Sequence, residues 1–188
     1  FDTQDNDPAS PFSNTPRVQF LDAFGHLVRV EEHTGADPIT TSYEYDPIGA
    51  LTRIVDSSDT ELLTQSFDFA ERKIRVVHRD AGARRFLYDA RGKLVLFVDG
   101  AGRRLRYRFD DIGRRLEVIQ DEAVIERYTY DAGAGENLVT QLAQVEDTVG
   151  TQTFSYDAQA RVQSTQRSIA DAGDFEYTFT YDSDSRPL

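Results

Sequence analysis

The 188-residue sequence has no cysteine and no tryptophan, and only three histidines. Without cysteine there is no disulfide framework, no thiolate nucleophile and no cysteine-based zinc site. No apolar run approaches the roughly 18–20 residues of a membrane-spanning helix, and no secretory hydrophobic region is visible. Positive charge is scarce: 21 Lys and Arg stand against 33 Asp and Glu, for a formal charge of −12. Nucleic-acid backbones are held by clusters of Lys and Arg, so this balance argues against nucleic acid and against anionic membrane surfaces. Hydrophobic residues make up only 39%, yet 12 Phe and 9 Tyr make the chain rich in aromatics that suit strands. The start at Phe1 reads as an excised piece of something larger.

What is present is one phrase, said repeatedly. Tyr107-Arg108-Phe109-Asp110-Asp111-Ile112-Gly113 alternates aromatic and polar residues, the period-2 signature of a strand with one buried face. Asp followed three residues later by Gly suits a type I turn, with Asp capping the first corner and Gly taking positive φ after it. A left-handed residue after such a turn also closes a three-residue hairpin loop. Tyr43, Tyr45, Asp46 and Gly49 form another copy, with Pro47 at the second corner. Tyr88, Asp89 and Gly92 restate it after Phe86. Tyr128, Tyr130 and Asp131 start a copy with a longer loop through Gly133 and Gly135. Tyr156 with Asp157, and Tyr181 with Asp182, complete the series. A first copy turns at Asp22-Ala23-Phe24-Gly25. In the copy at Phe67-Asp68-Phe69 the turn reads as drifted, with Ala70 in the Asp position; Ala160 and Ser185 stand where Gly is expected.

Anchors at 22, 46, 70, 89, 110, 131, 157 and 182 are separated by 24, 24, 19, 21, 21, 26 and 25 residues. Such a period marks a repeat architecture in which each repeat is one supersecondary unit, here a β-hairpin. The expected fold is therefore all-β. Tandem hairpins would build a long curved antiparallel sheet of roughly fifteen strands, with no convincing helix. Tyr43, Phe67, Phe86, Tyr107, Tyr128, Phe154 and Phe179 are expected in rows on one face, stacking across strands. Residues 1–16 read as an irregular lead-in, and residues 17–188 as the repeat array, cut mid-repeat after Asp182. Asp2, Asp5 and Asp7 read as a solvated acidic linker, because a calcium loop needs a fixed ligand series and a turn glycine.

The repeated Tyr-x-Tyr-Asp-x-x-Gly with an apolar return strand resembles the YD repeat of the Rhs family. Tyr43–Asp56, Phe86–Asp99 and Tyr107–Asp121 are the best matches, and the resemblance extends from about Thr15 onward. The run from Thr15 to Gly25 is similar to the approach to such arrays in large bacterial polymorphic and insecticidal toxin-complex proteins. The resemblance implies a spiral β-shell that encloses a toxin or effector domain and is secreted from bacteria. It also implies partners: the remainder of the same shell protein or a partner shell subunit, and an enclosed polypeptide. Related shells in animal teneurins serve adhesion, so an extracellular adhesion or carbohydrate-binding surface is the alternative.

Chemistry in any single copy is unsupported. His26, His33 and His78 are far apart in sequence, without an i,i+4 histidine pair or a cysteine partner for a metal. Each Asp of the phrase has a turn to cap, so the carboxylates read as structural rather than as acid–base groups. The expectation is a non-enzymatic protein with no catalytic residue, metal or cofactor. Arg84-Arg85, Arg103-Arg104-Leu105-Arg106 and Arg114-Arg115 form a basic middle. They read first as a solvated face paired with neighbouring acids, and second as a lining for a cargo or partner.

Overall fold

In a computed structural model, the structure describes residues 15–33, 37–133 and 138–188. Most of the lead-in, with Asp2, Asp5 and Asp7, lies outside the described residues, as does Gly135. The strands are β1 (Arg17–Leu21), β2 (Leu27–Glu32), β3 (Ile39–Tyr45), β4 (Leu51–Asp56), β5 (Glu61–Phe67), β6 (Lys73–His78), β7 (Gly82–Tyr88) and β8 (Leu94–Val98). They continue as β9 (Arg104–Phe109), β10 (Arg115–Gln120), β11 (Ala123–Tyr130), β12 (Leu142–Asp147), β13 (Gly150–Tyr156), β14 (Val162–Ile169) and β15 (Gly173–Thr178). Strand neighbours follow chain order from β1 to β15, an open antiparallel meander. No helix occurs among the described residues, and hence none long and apolar enough to cross a membrane.

Two compact units are distinguished. One holds β1–β6 and β7 as far as Phe86, together with Asp99–Ala101; the other holds Leu87–Val98 and Gly102–Leu188. In the first, Tyr43 lies opposite Ile54, and Ile54 opposite Leu63. In the second, Tyr107 lies opposite Val118, while Phe154 faces Thr165, which faces Tyr177. The expected rows are thus mixed. The register sets an aliphatic or threonine side chain against each of these aromatics instead of another ring. In these repeats the aromatics stand on the strand before the turn, and the return strand carries Ile54 or Val118.

Among the described residues the buried hydrophobic side chains are Val30, Val55, Val118, Ala143 and Tyr156, with Val30 2% exposed and Tyr156 7%. No buried polar or charged residue occurs among the described residues. A single sheet buries each side chain only against its neighbours on the same face, which leaves most residues half-exposed. Phe24, Ile48, Phe69 and Ile112 stand exposed at the hairpin tips.

Candidate functional site

The Tyr–Asp turns share one construction, seen plainly at Asp110. Its N–H donates to Arg114 O at 2.9 Å, and its carbonyl accepts from Gly113 N at 3.0 Å. Carboxylate Oδ1 accepts from Ile112 N at 3.1 Å and from Arg114 N at 2.8 Å. One oxygen therefore satisfies two loop donors that the hairpin ladder cannot reach. Gly113 supplies the left-handed corner at φ 88°, and the ladder shifts register immediately after it, as a hairpin with a bulge requires. Asp22, Asp46, Asp89, Asp157 and Asp182 cap their turns through the same pair of N–H groups, two and four residues on. Gly49 and Gly92 hold the corresponding corner, whereas Ala160 and Ser185 adopt it at φ 61° and 63°.

Two copies differ from the reading of the sequence. In the third, the capping residue is Asp68, two positions before Ala70. Asp68 Oδ1 accepts from Ala70 N and Arg72 N, and Glu71 takes the left-handed corner at φ 59°. The turn has not drifted; its Asp follows Phe67 directly, as Asp110 follows Phe109. In the sixth, Asp131 itself adopts φ 60° and accepts from Thr140 N at 2.5 Å across the longer loop. Its N–H pairs with Gln141 O at 3.0 Å. The inserted residues move the reversal away from Asp131, to a turn closed by Gln141 N donating to Leu138 O.

The residue four places after each Asp was not recognised from sequence. Arg114 Nε donates to Asp110 Oδ2 at 2.6 Å while its guanidinium lies 4.4 Å over the Tyr130 ring of the next repeat. Arg161 repeats this with Asp157 and Tyr181, at 2.7 Å and 4.4 Å. Lys93 sits 5.8 Å from the Phe109 ring. His26 holds the same position in the first copy: its Nδ1 is 3.0 Å from Asp22 Oδ2, and its ring stacks on Tyr45 at 4.8 Å. Arg72 and Arg186 likewise bind the second oxygen of Asp68 and Asp182. At Arg114 and Arg161 a cation held by one repeat's carboxylate thus covers the aromatic face of the next, a cation–π contact of matching geometry in the two copies. The signal was available as His26, Arg72, Lys93, Arg114, Arg161 and Arg186, each at the fourth position after its Asp, with Ala50 after Asp46 an exception.

The tyrosine before Asp completes the link. Tyr45, Tyr156 and Tyr181 donate through their hydroxyls to the carbonyls of Leu27, Leu142 and Val162, at 2.9, 2.8 and 2.7 Å. Each carbonyl belongs to the start of the preceding strand. Tyr128, two residues before Tyr130, donates to Glu126 Oε2 at 2.5 Å, and Arg115 lies 5.2 Å from the Tyr107 ring and 5.9 Å from that of Tyr128. Tyr43 in β3 and Phe109 at the end of β9 are half-buried, and Tyr88 ends β7 before its capping Asp89.

These contacts set the electrostatics. Partial burial pushes the Asp110 carboxyl up, but the side chain and backbone of Arg114 together hold it below the ordinary 3.8. Asp157 and Asp22 follow the same pattern with Arg161 and His26. At Asp68 the Arg72 side-chain bond dominates and the direction is again downward. Burial raises the Tyr156 and Tyr130 phenols. Burial, then Glu126, raises Tyr128.

The opposite face carries transverse charge pairs. Arg53 bridges Glu44 and Glu61 at 2.9 and 3.0 Å. Arg108, Glu117, Arg127 and Glu146 form a run across β9–β12 at 2.9, 3.5 and 3.8 Å. Of the basic middle, Arg114 is paired with Asp110 and Asp131, whereas Arg85 faces Arg75 across the sheet. His33 stands 3.8 Å from Glu31, and His78 accepts from Asp80 N. Among the described residues no group of three or more His, Asp or Glu could hold a metal ion.

No family model matches the chain. Its full length superposes on the crystal structure of TcdB2-TccC3 with a TM-score of 0.77 at 21% identity, covering 12% of that chain. It superposes equally, at 0.77 and 20% identity, on TcdB2-TccC3 without its hypervariable C-terminal region, covering 11%. The chain is 35% identical over 127 residues to double-stranded DNA deaminase toxin A of Burkholderia cenocepacia (strain H111), spanning 68% of this chain and 8% of that protein. This is an Rhs-type YD-repeat array. It is 26% identical over 126 residues to tRNA nuclease WapA of Bacillus subtilis (strain 168), spanning 65% of this chain and 5% of that protein. The chain therefore corresponds to a small part of the relatives it matches.

Proposed function

We propose that the array is a non-enzymatic segment of a β-shell that encloses a toxin or effector polypeptide for secretion and delivery from a bacterium. The observation that carries this reading is the way the repeats are fastened. Every bond described, from Asp cap to cation to next aromatic, joins a repeat to itself or its neighbour. None converges on a pocket with a nucleophile and a base. A sheet built this way grows by repeating its unit but buries little, so its use lies in the surface it makes. Toxin names among the relatives support a toxin-related role. Deaminase and nuclease chemistry would then belong to parts of those proteins outside the matched stretch. Residues 17–188 act as one repeat array in this reading, and the partners are the rest of the shell and the enclosed chain.

Limited proteolysis of the full-length polypeptide tests it. The enclosed segment stays resistant with the array intact and is cut when Gly113→Val and Tyr156→Ala open the sheet. Equal cleavage in both proteins overturns the proposal, as does saturable binding of a defined glycan by the array.

A further inference from the structure

Along the polar face the register sets opposite charges against each other. Arg17 faces Glu32, Glu44 faces Arg53, Arg108 faces Glu117, Glu117 faces Arg127, and Arg127 faces Glu146. All five pairs lie within ion-pair distance. The register of β6 and β7 breaks this rule by setting Arg75 directly opposite Arg85. Both side chains are exposed, and on its other flank Arg75 faces Ser66. Among the described residues neither guanidinium has a carboxylate within ion-pair distance, although Arg72 and Arg79 nearby have Asp68 and Asp56. Like charges directly opposite in a sheet are destabilising, so this sequence keeps a repulsion that one Glu would remove.

We infer that Arg75 and Arg85 form a docking site for a carboxylate of an acidic polypeptide segment. Directly opposite side chains start only about 5 Å apart. Two guanidinium forks at that spacing can close on one carboxylate from both sides, in the planar geometry that distinguishes Arg from Lys. A nucleic acid is the poorer fit. Its phosphates follow one another closely and need a longer row of cations, whereas the chain as a whole carries −12. The remaining acids do not forbid an acidic partner, because charges beyond about 8 Å are largely screened at physiological ionic strength. The site stands on the register alone and does not depend on what the array encloses.

The test is fluorescence anisotropy of labelled deca-glutamate against the whole 188-residue chain, with an oligothymidylate of equal charge as competitor. Arg75→Gln and Arg85→Gln should each weaken deca-glutamate binding about tenfold, while Arg85→Lys retains part of it. Arg85→Glu should abolish binding and raise the urea midpoint, because it supplies the missing opposite charge. No binding by the wild-type chain, unchanged binding in the Gln variants, or preference for the oligothymidylate would each overturn the proposal. So would loss of the β-sheet spectrum in either Gln variant, since relieving a repulsion cannot unfold the sheet.

Discussion

Gly113 and Ala160 occupy the same corner of two repeats, at φ 88° and 61°, and exchanging their residue types tests the turn directly. A left-handed conformation costs an L-residue roughly 1–2 kcal/mol. Glycine escapes that cost but adds about 0.4–1 kcal/mol of unfolded-chain entropy to be lost on folding. Ala160→Gly should therefore stabilise the array by about 0.5–1 kcal/mol. Gly113→Ala should destabilise it by a similar amount. The new Cβ would lie 3.2 Å from Lys93 Cε, a flexible side chain that can give way. Gly113→Val should cost roughly 2 kcal/mol or more, because a β-branched residue at positive φ is a steric outlier. Urea unfolding followed by far-UV circular dichroism and tyrosine fluorescence measures all three. With a slope of roughly 2 kcal/mol per molar urea, the alanine exchanges shift the midpoint by about 0.3–0.5 M in opposite directions. A lower midpoint for Ala160→Gly at unchanged slope would refute the reasoning, because it would mean that Ala160 is unstrained or holds the turn by its methyl group.

Tyr156→Phe removes the hydroxyl bond to Leu142 O from a nearly buried ring and should cost about 1 kcal/mol; a calorimetric melting temperature equal to wild type would deny the bond a role. The Asp carboxyls held below 3.8 contribute stability that is fully present above that value and is lost as pH falls through their depressed folded values. Thermal melts should therefore drop below about pH 4, and Asp110→Asn should flatten part of that slope; an identical slope in the variant counts against the capping account. Arg114→Ala removes contacts to Asp110, Asp131 and the Tyr130 ring at once. It should lower the urea midpoint more than Arg108→Ala, which loses one exposed pair on the polar face; the reverse order would place the fastening elsewhere.

Much of this was legible in residue order because the repeat unit is local. Asp110, Ile112, Gly113 and Arg114 lie within five residues, and turn chemistry acts over that range. The third copy was misread because Phe67-Asp68-Phe69 imitates the strand's aromatic alternation, which pulled the anchor to Ala70. In the folded chain Phe69 is an exposed turn residue. The sixth copy was read as a strand pair joined by a longer loop, but the partners of Asp131 were not legible. Asp131 both accepts from Thr140 N across its own loop and receives Arg114 from the neighbouring turn, and the second contact is set by strand register rather than by local residue order.

Sequence alone determined the unit: a strand ending in an aromatic, a capped reversal, a return strand, and the count of copies. These follow from steric limits and hydrogen bonds between residues a few positions apart. Tertiary structure decided how units are joined. Arg114 meets Tyr130 sixteen residues on, and Arg75 faces Arg85 rather than an acid. Both depend on register, which neighbouring strands settle together. A slip of one residue would exchange the two faces of a strand; no single repeat contains the information that prevents it.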